Sequence, residues 1–241
     1  MTFLARAAVA LAPLLGAVPG SAGAADLTIV WTVTTPRGGE RTQTHSITST
    51  KIRTTDADRD VIVDAASGRV VFVDHRRKEH SESSLEDVAA FLRQMDAALA
   101  GGTAVERTLG PLGPVRVEKG GESRTIAGFA TERYTLSMGD SIRFEVWAAL
   151  SLPAPAQVYD ARRVVFARRG PIGTRFDRIL EEMREIPGMP LAVTIEYRMR
   201  MGPRQVTTEA REVRQGPIPE STFAVPAGYE KVEPPFGRQR R

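Results

Sequence analysis

Leu191-Ala-Val-Thr-Ile-Glu-Tyr-Arg-Met-Arg-Met201 alternates between two kinds of side chain along its whole length. Leu191, Val193, Ile195, Tyr197, Met199 and Met201 are apolar, while Ala192, Thr194, Glu196, Arg198 and Arg200 between them are small, polar or charged. A period of two is the mark of a strand with one buried face. A strand of this length extends roughly 35 Å, and strands that long bend. The same alternation sets Ile142, Phe144, Val146 and Ala148 against Arg143, Glu145 and Trp147. It also sets Leu27, Ile29, Trp31 and Val33 against Thr28, Thr32 and Thr34. An antiparallel sheet with one apolar and one wet face follows.

Shorter strand segments surround these runs: 41–50, 51–55, 60–64, 69–74, 76–81, 132–138 and 205–214. Ala65-Ala66-Ser67-Gly68 reads as a hairpin turn whose glycine takes positive φ. Three segments carry helical spacing instead. Ser83 to Glu86 has the spacing of a capping box, followed by Leu85, Val88, Leu92, Met95 and Leu99 and stopped at Gly101-Gly102. Ala156 to Arg168 is a second, more mixed helix, in which Val164-Val165-Phe166 also fits a strand. The third starts near Thr174, carries Phe176, Ile179, Leu180, Met183 and Ile186, and stops at Pro187-Gly188. Each amphipathic helix needs an apolar partner, and the sheet offers one. The fold class is therefore α+β: a strongly curved antiparallel sheet, a half-open barrel, covered on its apolar concave face by two or three helices.

The chain has 241 residues, 41% hydrophobic and 26% charged. That is a globular balance with enough length for a real core. Met1 to Ala24 combines one arginine, an apolar run and an Ala-x-Ala end, the pattern of a secretory signal peptide. Pro13, Gly16, Pro19 and Gly20 interrupt it too early for a membrane span. The expected organisation is thus a signal peptide at 1–24, a single domain at 26–233 and an arginine-rich tail at 234–241, with the mature protein periplasmic or secreted. Arg6, Arg238, Arg240 and Arg241 account for the whole formal charge of +4. The body is neutral, so no basic stripe calls for nucleic acid.

Chemistry is sparse. Zero cysteine excludes a disulfide framework, a thiol nucleophile and a zinc–thiolate site. The three histidines, His45, His75 and His80, lack the paired spacing of a metalloprotease helix. On a continuous strand Asp74 and His80 would face away from His75 and Glu79, so Asp74-His75-Arg76-Arg77-Lys78-Glu79-His80 does not converge on one metal. No Gly-x-Ser-x-Gly elbow and no phosphate-cradling glycine loop is present. The expectation is a protein without catalytic residues, metal or cofactor.

Several blocks in order resemble a family of uncharacterised exported bacterial proteins. They are Thr48-Ser-Thr-Lys-Ile-Arg53, Val61-Ile-Val-Asp64, Gly68 to Asp74 with Lys78-Glu79, and Ile126-Ala-Gly128 with Arg133-Tyr134. Glu145-Val-Trp147, Gly188-Met-Pro190-Leu191 and Phe223-Ala-Val-Pro226-Ala-Gly228-Tyr229 complete the set. More distantly, the pattern is similar to the periplasmic carriers and outer-membrane receptors of lipoproteins. That resemblance implies a half-open barrel whose concave side accepts acyl chains beneath helices. The expected function is then a periplasmic protein that binds a hydrophobic ligand, a lipid or lipidated polypeptide, between sheet and helices. Trp31, Phe144, Tyr197 and Met199 from strands would face Leu92, Met95 and Met183 from helices, methionine suiting a pocket that adapts to variable chains. The alternative is an envelope protein–protein interaction or sensing module with a filled interior, docking a partner on a strand edge or helical stripe.

Overall fold

The computed structural model describes residues 26–36, 38–99, 113–167, 171–199 and 202–234. The expected signal peptide, the expected helix stop at Gly101-Gly102, Met201 and the arginines of the tail lie outside the described residues.

Among the described residues twelve strands form one sheet: β1 (Leu27–Thr35), β2 (Gly39–Ile47), β3 (Lys51–Thr55), β4 (Arg59–Asp64), β5 (Arg69–Asp74), β6 (Glu79–Ser84), β7 (Val115–Ile126), β8 (Phe129–Met138), β9 (Ile142–Ala149), β10 (Met189–Met199), β11 (Gly202–Gln215) and β12 (Glu230–Lys231). Their order is β12-β6-β5-β4-β3-β2-β1-β11-β10-β9-β8-β7, so β1 pairs with β11 and joins two meanders. Every pairing is antiparallel except the short β12–β6. Among the described residues the helices are α1 (Leu85–Leu99), α2 (Ala156–Ala167) and α3 (Pro171–Arg184). Residues 164–166 are helical, because Val164 is needed in the buried stripe that α2 turns toward the sheet.

The sheet is bent. Laid flat, β7 and β11 would stand about 19 Å apart, at roughly 4.8 Å per strand step. Instead Arg124 on β7 pairs with Glu209 on β11 at 2.8 Å, and its guanidinium carbon lies 4.5 Å from the centre of the Trp147 ring on β9. Bulges at Val30/Trp31 and Pro190/Ala192 add the local twist that such bending requires.

Helices cover the apolar face in two groups. α1 and α2 pack Val88, Leu92, Val158 and Val164 against Ile29, Trp31, Ile52, Val63 and Phe72. α3 packs Phe176, Ile179, Leu180 and Met183 against Leu136, Phe144, Val146 and Ile195. The start of α1 is capped one residue later than the sequence pattern suggests. Ser84, not Ser83, is the cap: its hydroxyl accepts from the Asp87 amide at 3.0 Å. Asp87 in return accepts from the Ser84 amide at 3.2 Å, the reciprocal pair of a capping box. Both serines have an acid three residues on, but Ser83 is still hydrogen-bonded in β6. Gly188 is required where the chain enters β10, since at φ +83 an added Cβ would stand 2.3 Å from the Ala149 carbonyl oxygen.

Two expectations need correction. Residues 75–78 are a turn between β5 and β6 and not part of a strand. The outer face is also not wet throughout. Over β4 and β5 it is apolar, with Ile62, Val71 and Val73 buried beneath Phe223 and flanked by Ile218, Val225 and Tyr229. Continuous runs such as Val61-Ile-Val and Val70-Val-Phe-Val are what strands covered on both faces show. The C-terminal segment forms this second cover and returns to the sheet as β12.

A buried carboxylate fastens that strap. Asp60, fully buried as a side chain, pairs with Arg53 and accepts from His75 Nε2 at 2.9 Å. His75 Nδ1 in turn lies 2.9 Å from the Tyr229 hydroxyl, and Arg53 donates to the Thr222 carbonyl at 2.6 Å. Replacing one member of a buried pair strands the other charge, at about 3 kcal/mol or more. Asp60→Ala should therefore lower unfolding free energy in urea by at least ~3 kcal/mol; a loss below ~1 kcal/mol would mean the network does not hold the strap.

Candidate functional site

The two helix groups leave space beneath the seam between α2 and α3, a partly open cavity of about 110 Å³. Its floor is Val33 of β1, Phe144 of β9, Ile195 of β10 and Val206 of β11. Its roof is Ala161 and Val165 of α2 with Leu180 and Met183 of α3. These residues point inward because strand alternation and helical spacing leave them no other side. Phe144 is held edge-on to Phe176 at 5.4 Å between ring centres, a favoured aromatic geometry that fixes one wall.

One end of the cavity is polar. Gln43 and His45 of β2, Thr54 of β3 and Arg162 of α2 border it, and Arg41 joins them while paired with Asp56 at 3.3 Å. β2 and β3 lie on one side of β1 and β9–β11 on the other, so the lining divides into a polar and an apolar half. His45 is buried, its Nε2 lies 3.1 Å from Gln43 Oε1, and its Nδ1 meets no partner among the described residues. Burial, helped by the nearby Arg162 charge, pulls its pKa down to about 3, so the ring is neutral at physiological pH. Arg162 is half-buried; its Nη1 points at the sulfur of Met183, 3.5 Å away, and burial lowers its pKa.

Of the residues expected to bind, Phe144 and Met183 border this cavity. Trp31 and Leu92 are buried in the α1–α2 group and do not border it, although the Trp31 ring stands 5.3 Å from that of His45. Tyr197 packs on Phe176 at 6.2 Å and faces a different depression. Met95 is half-exposed on α1, and the side chain of Met199 lies outside the described residues. The polar half was not anticipated. One signal for it exists: Arg162 stands four residues after Val158 and three before Val165, inside the apolar stripe of α2.

That other depression is wider, about 920 Å³, and is bordered by Arg116, Arg143, Arg198, Arg204, Asp140 and Glu196. Its walls are mostly charged or hydroxylated and open to water, so an apolar ligand gains little there. The histidines fall in separate places: His45 in the cavity wall, His75 under the strap and His80 on β6. Among the described residues no group of three or more His, Asp or Glu is placed to hold a metal ion.

No family model matches the chain, and no curated protein matches it. Solved structures with a similar arrangement include an uncharacterised conserved protein from Thermus thermophilus, at 7% identity and a TM-score of 0.48 over 88% of this chain and 91% of that one. MucB is similar at 11% identity and a TM-score of 0.42, with 86% of this chain covered. This chain spans only 59% of the length of MucB. A LolA superfamily protein from Nitrosomonas europaea is similar at 10% identity and a TM-score of 0.30, over 83% and 90% of the two chains.

The neutral His45 makes stability depend on pH. Once unfolded, the ring binds a proton below its ordinary pKa of 6.5, whereas folded it resists one until about 3. Stability is therefore complete above pH 6.5 and is lost on acidification, by about 1.4 kcal/mol per pH unit. Asp74, Glu82 and Glu132, held below the usual range mainly by Arg77, Arg69 and Lys119, add losses chiefly below pH 4.5. Urea unfolding at pH 7 and pH 5 should show wild type losing about 2 kcal/mol and His45→Gln less than half of that. Equal losses in the two proteins would place the acid sensitivity elsewhere.

Proposed function

We propose that this chain is an exported, non-enzymatic protein of the bacterial envelope that binds a hydrophobic ligand between its sheet and its helices. The ligand is a lipid or the acyl part of a lipidated polypeptide. The observation that supports this reading is the cavity beneath α2 and α3, apolar over its floor and roof and lying where the two helix groups part. Apolar surface moved from water into such a space gains about 25 cal/mol per Å². No helix among the described residues is long and apolar enough to cross a membrane.

Size limits what enters without movement. An engineered apolar cavity of about 150 Å³ takes up benzene; at about 110 Å³ this one, open on one side, admits an apolar group no larger than that. A long acyl chain requires α2 and α3 to lift from the sheet. They are tied to each other by Arg163–Asp177 at 2.6 Å and by Arg184–Asp160, and so would lift as a pair. The interaction-module alternative has less support. β7, at one end of the sheet, carries Arg116, Glu118, Lys119, Glu122 and Arg124, and charges along an edge oppose the addition of a strand.

Ala161→Leu fills the cavity from its roof. The purified mature protein should bind the neutral dye Nile red, with hydrophobic material visible in native mass spectra and lost on denaturation. Ala161→Leu should weaken dye binding at least tenfold while shifting the melting temperature by only a few degrees. Unaltered dye binding in the variant would move the ligand out of this cavity, and a wild type that binds no apolar probe would leave the interaction-module reading in its place.

A further inference from the structure

Resting on that reading and narrowing its ligand to a free fatty acid rather than a polypeptide-bound acyl group, we propose that the ligand carries a single negative charge, a carboxylate on a short hydrocarbon chain, and that Arg162 recognises it. The other arginines described on the two roof helices find acids or are otherwise engaged. Arg163, the next residue, reaches Asp177 at 2.6 Å and Glu181 at 3.5 Å, and Arg184 reaches Asp160. Arg178 has a partner as well. Arg162 faces the cavity instead, and no carboxylate among the described residues pairs with it. The thioether of Met183, 3.5 Å away, is a weak acceptor.

Arginine does not lose its proton in a protein, so burial leaves a charge without a counterion. A carboxylate entering the cavity supplies that counterion and can accept two parallel N–H bonds from the guanidinium fork. Gln43 and Thr54 beside it offer further donors, while Phe144, Ile195 and Val206 at the far side take the hydrocarbon. The charge count favours a monoanion. Arg41, the other cation on the lining, already holds Asp56 at 3.3 Å, so a phosphate dianion would leave one charge uncompensated. With room for a group of roughly benzene size, the closed form suits a chain of about six carbons.

The test is displacement of Nile red from the full mature protein by hexanoate, 1-hexanol and hexyl phosphate at neutral pH. Wild type should bind hexanoate at least tenfold more tightly than hexanol, and more tightly than hexyl phosphate. Arg162→Met should bring hexanoate and hexanol within about twofold of each other while holding hexanol affinity within threefold of wild type. It should also melt at a higher temperature, since an uncompensated charge has left the interior. Arg162→Gln, which keeps a polar end, should show the same loss of preference if the methionine variant misfolds. Hexanoate preference that survives either substitution, or a wild type that favours hexanol or the phosphate, overturns the assignment. In those cases continued dye binding leaves the apolar cavity standing; absence of dye binding removes the cavity reading first.

Discussion

The inner face of β1 and β8–β11 is held by its burial against α2 and α3. Phe144, Val146, Leu136, Ile179 and Met183 are each all but inaccessible to water. Each such side chain contributes about 2 kcal/mol relative to exposure. The sheet cannot make this contact while flat, because a long one-sided sheet with helices on one face must wrap around them. The Arg124–Glu209 pair, on the opposite face from α3 and joining strands four steps apart, shows that the sheet is bent at that end.

A bent sheet and straight helices do not match everywhere. α1 with α2 fits one stretch of the sheet and α3 another, and the mismatch is concentrated at the seam between them. The cavity and Arg162 both lie at that seam, and so does the neutral His45. Polar groups placed at an imperfectly filled seam are less costly than in a solid core, because the space beside them can admit a partner. The opposite strategy holds on the outer face of β4 and β5. There the strap closes tightly and Asp60 is matched by Arg53 and His75.

Where burial follows local alternation, the sequence was readable. β1 and β9 carry the period of two and lie with the expected sides inward, β10 does so at Val193 and Ile195 while Ala192, expected on the wet side, is buried beside the bulge, and α1 and α3 follow the helical period. β7 could not be read, because Val115 to Ile126 is charged, glycine-containing and exposed along most of its length, so neither period stands out. β12 is two residues long and exists only because the strap leads it to β6. The strap's cover over Ile62 and Val71 is likewise set by residues some 150 positions away. Among inward-facing residues, alternation names Trp31 and Phe144 alike; only the placement of the helices makes one core and the other cavity wall. Arg162 was legible in principle, as a cation inside an apolar stripe, but a helix end or snorkelling stem gives the same pattern.

Ligand binding between sheet and helices requires the seam between α2 and α3 to be open space inside the folded protein. A crystal of the protein under xenon pressure shows whether it is, since xenon enters apolar cavities of this size without demanding hydrogen bonds. An open seam puts a xenon peak in contact with Phe144, Val206 and Met183. Side chains of Phe144, Phe166 and Met183 turned inward to fill the seam, with no xenon there, would contradict it.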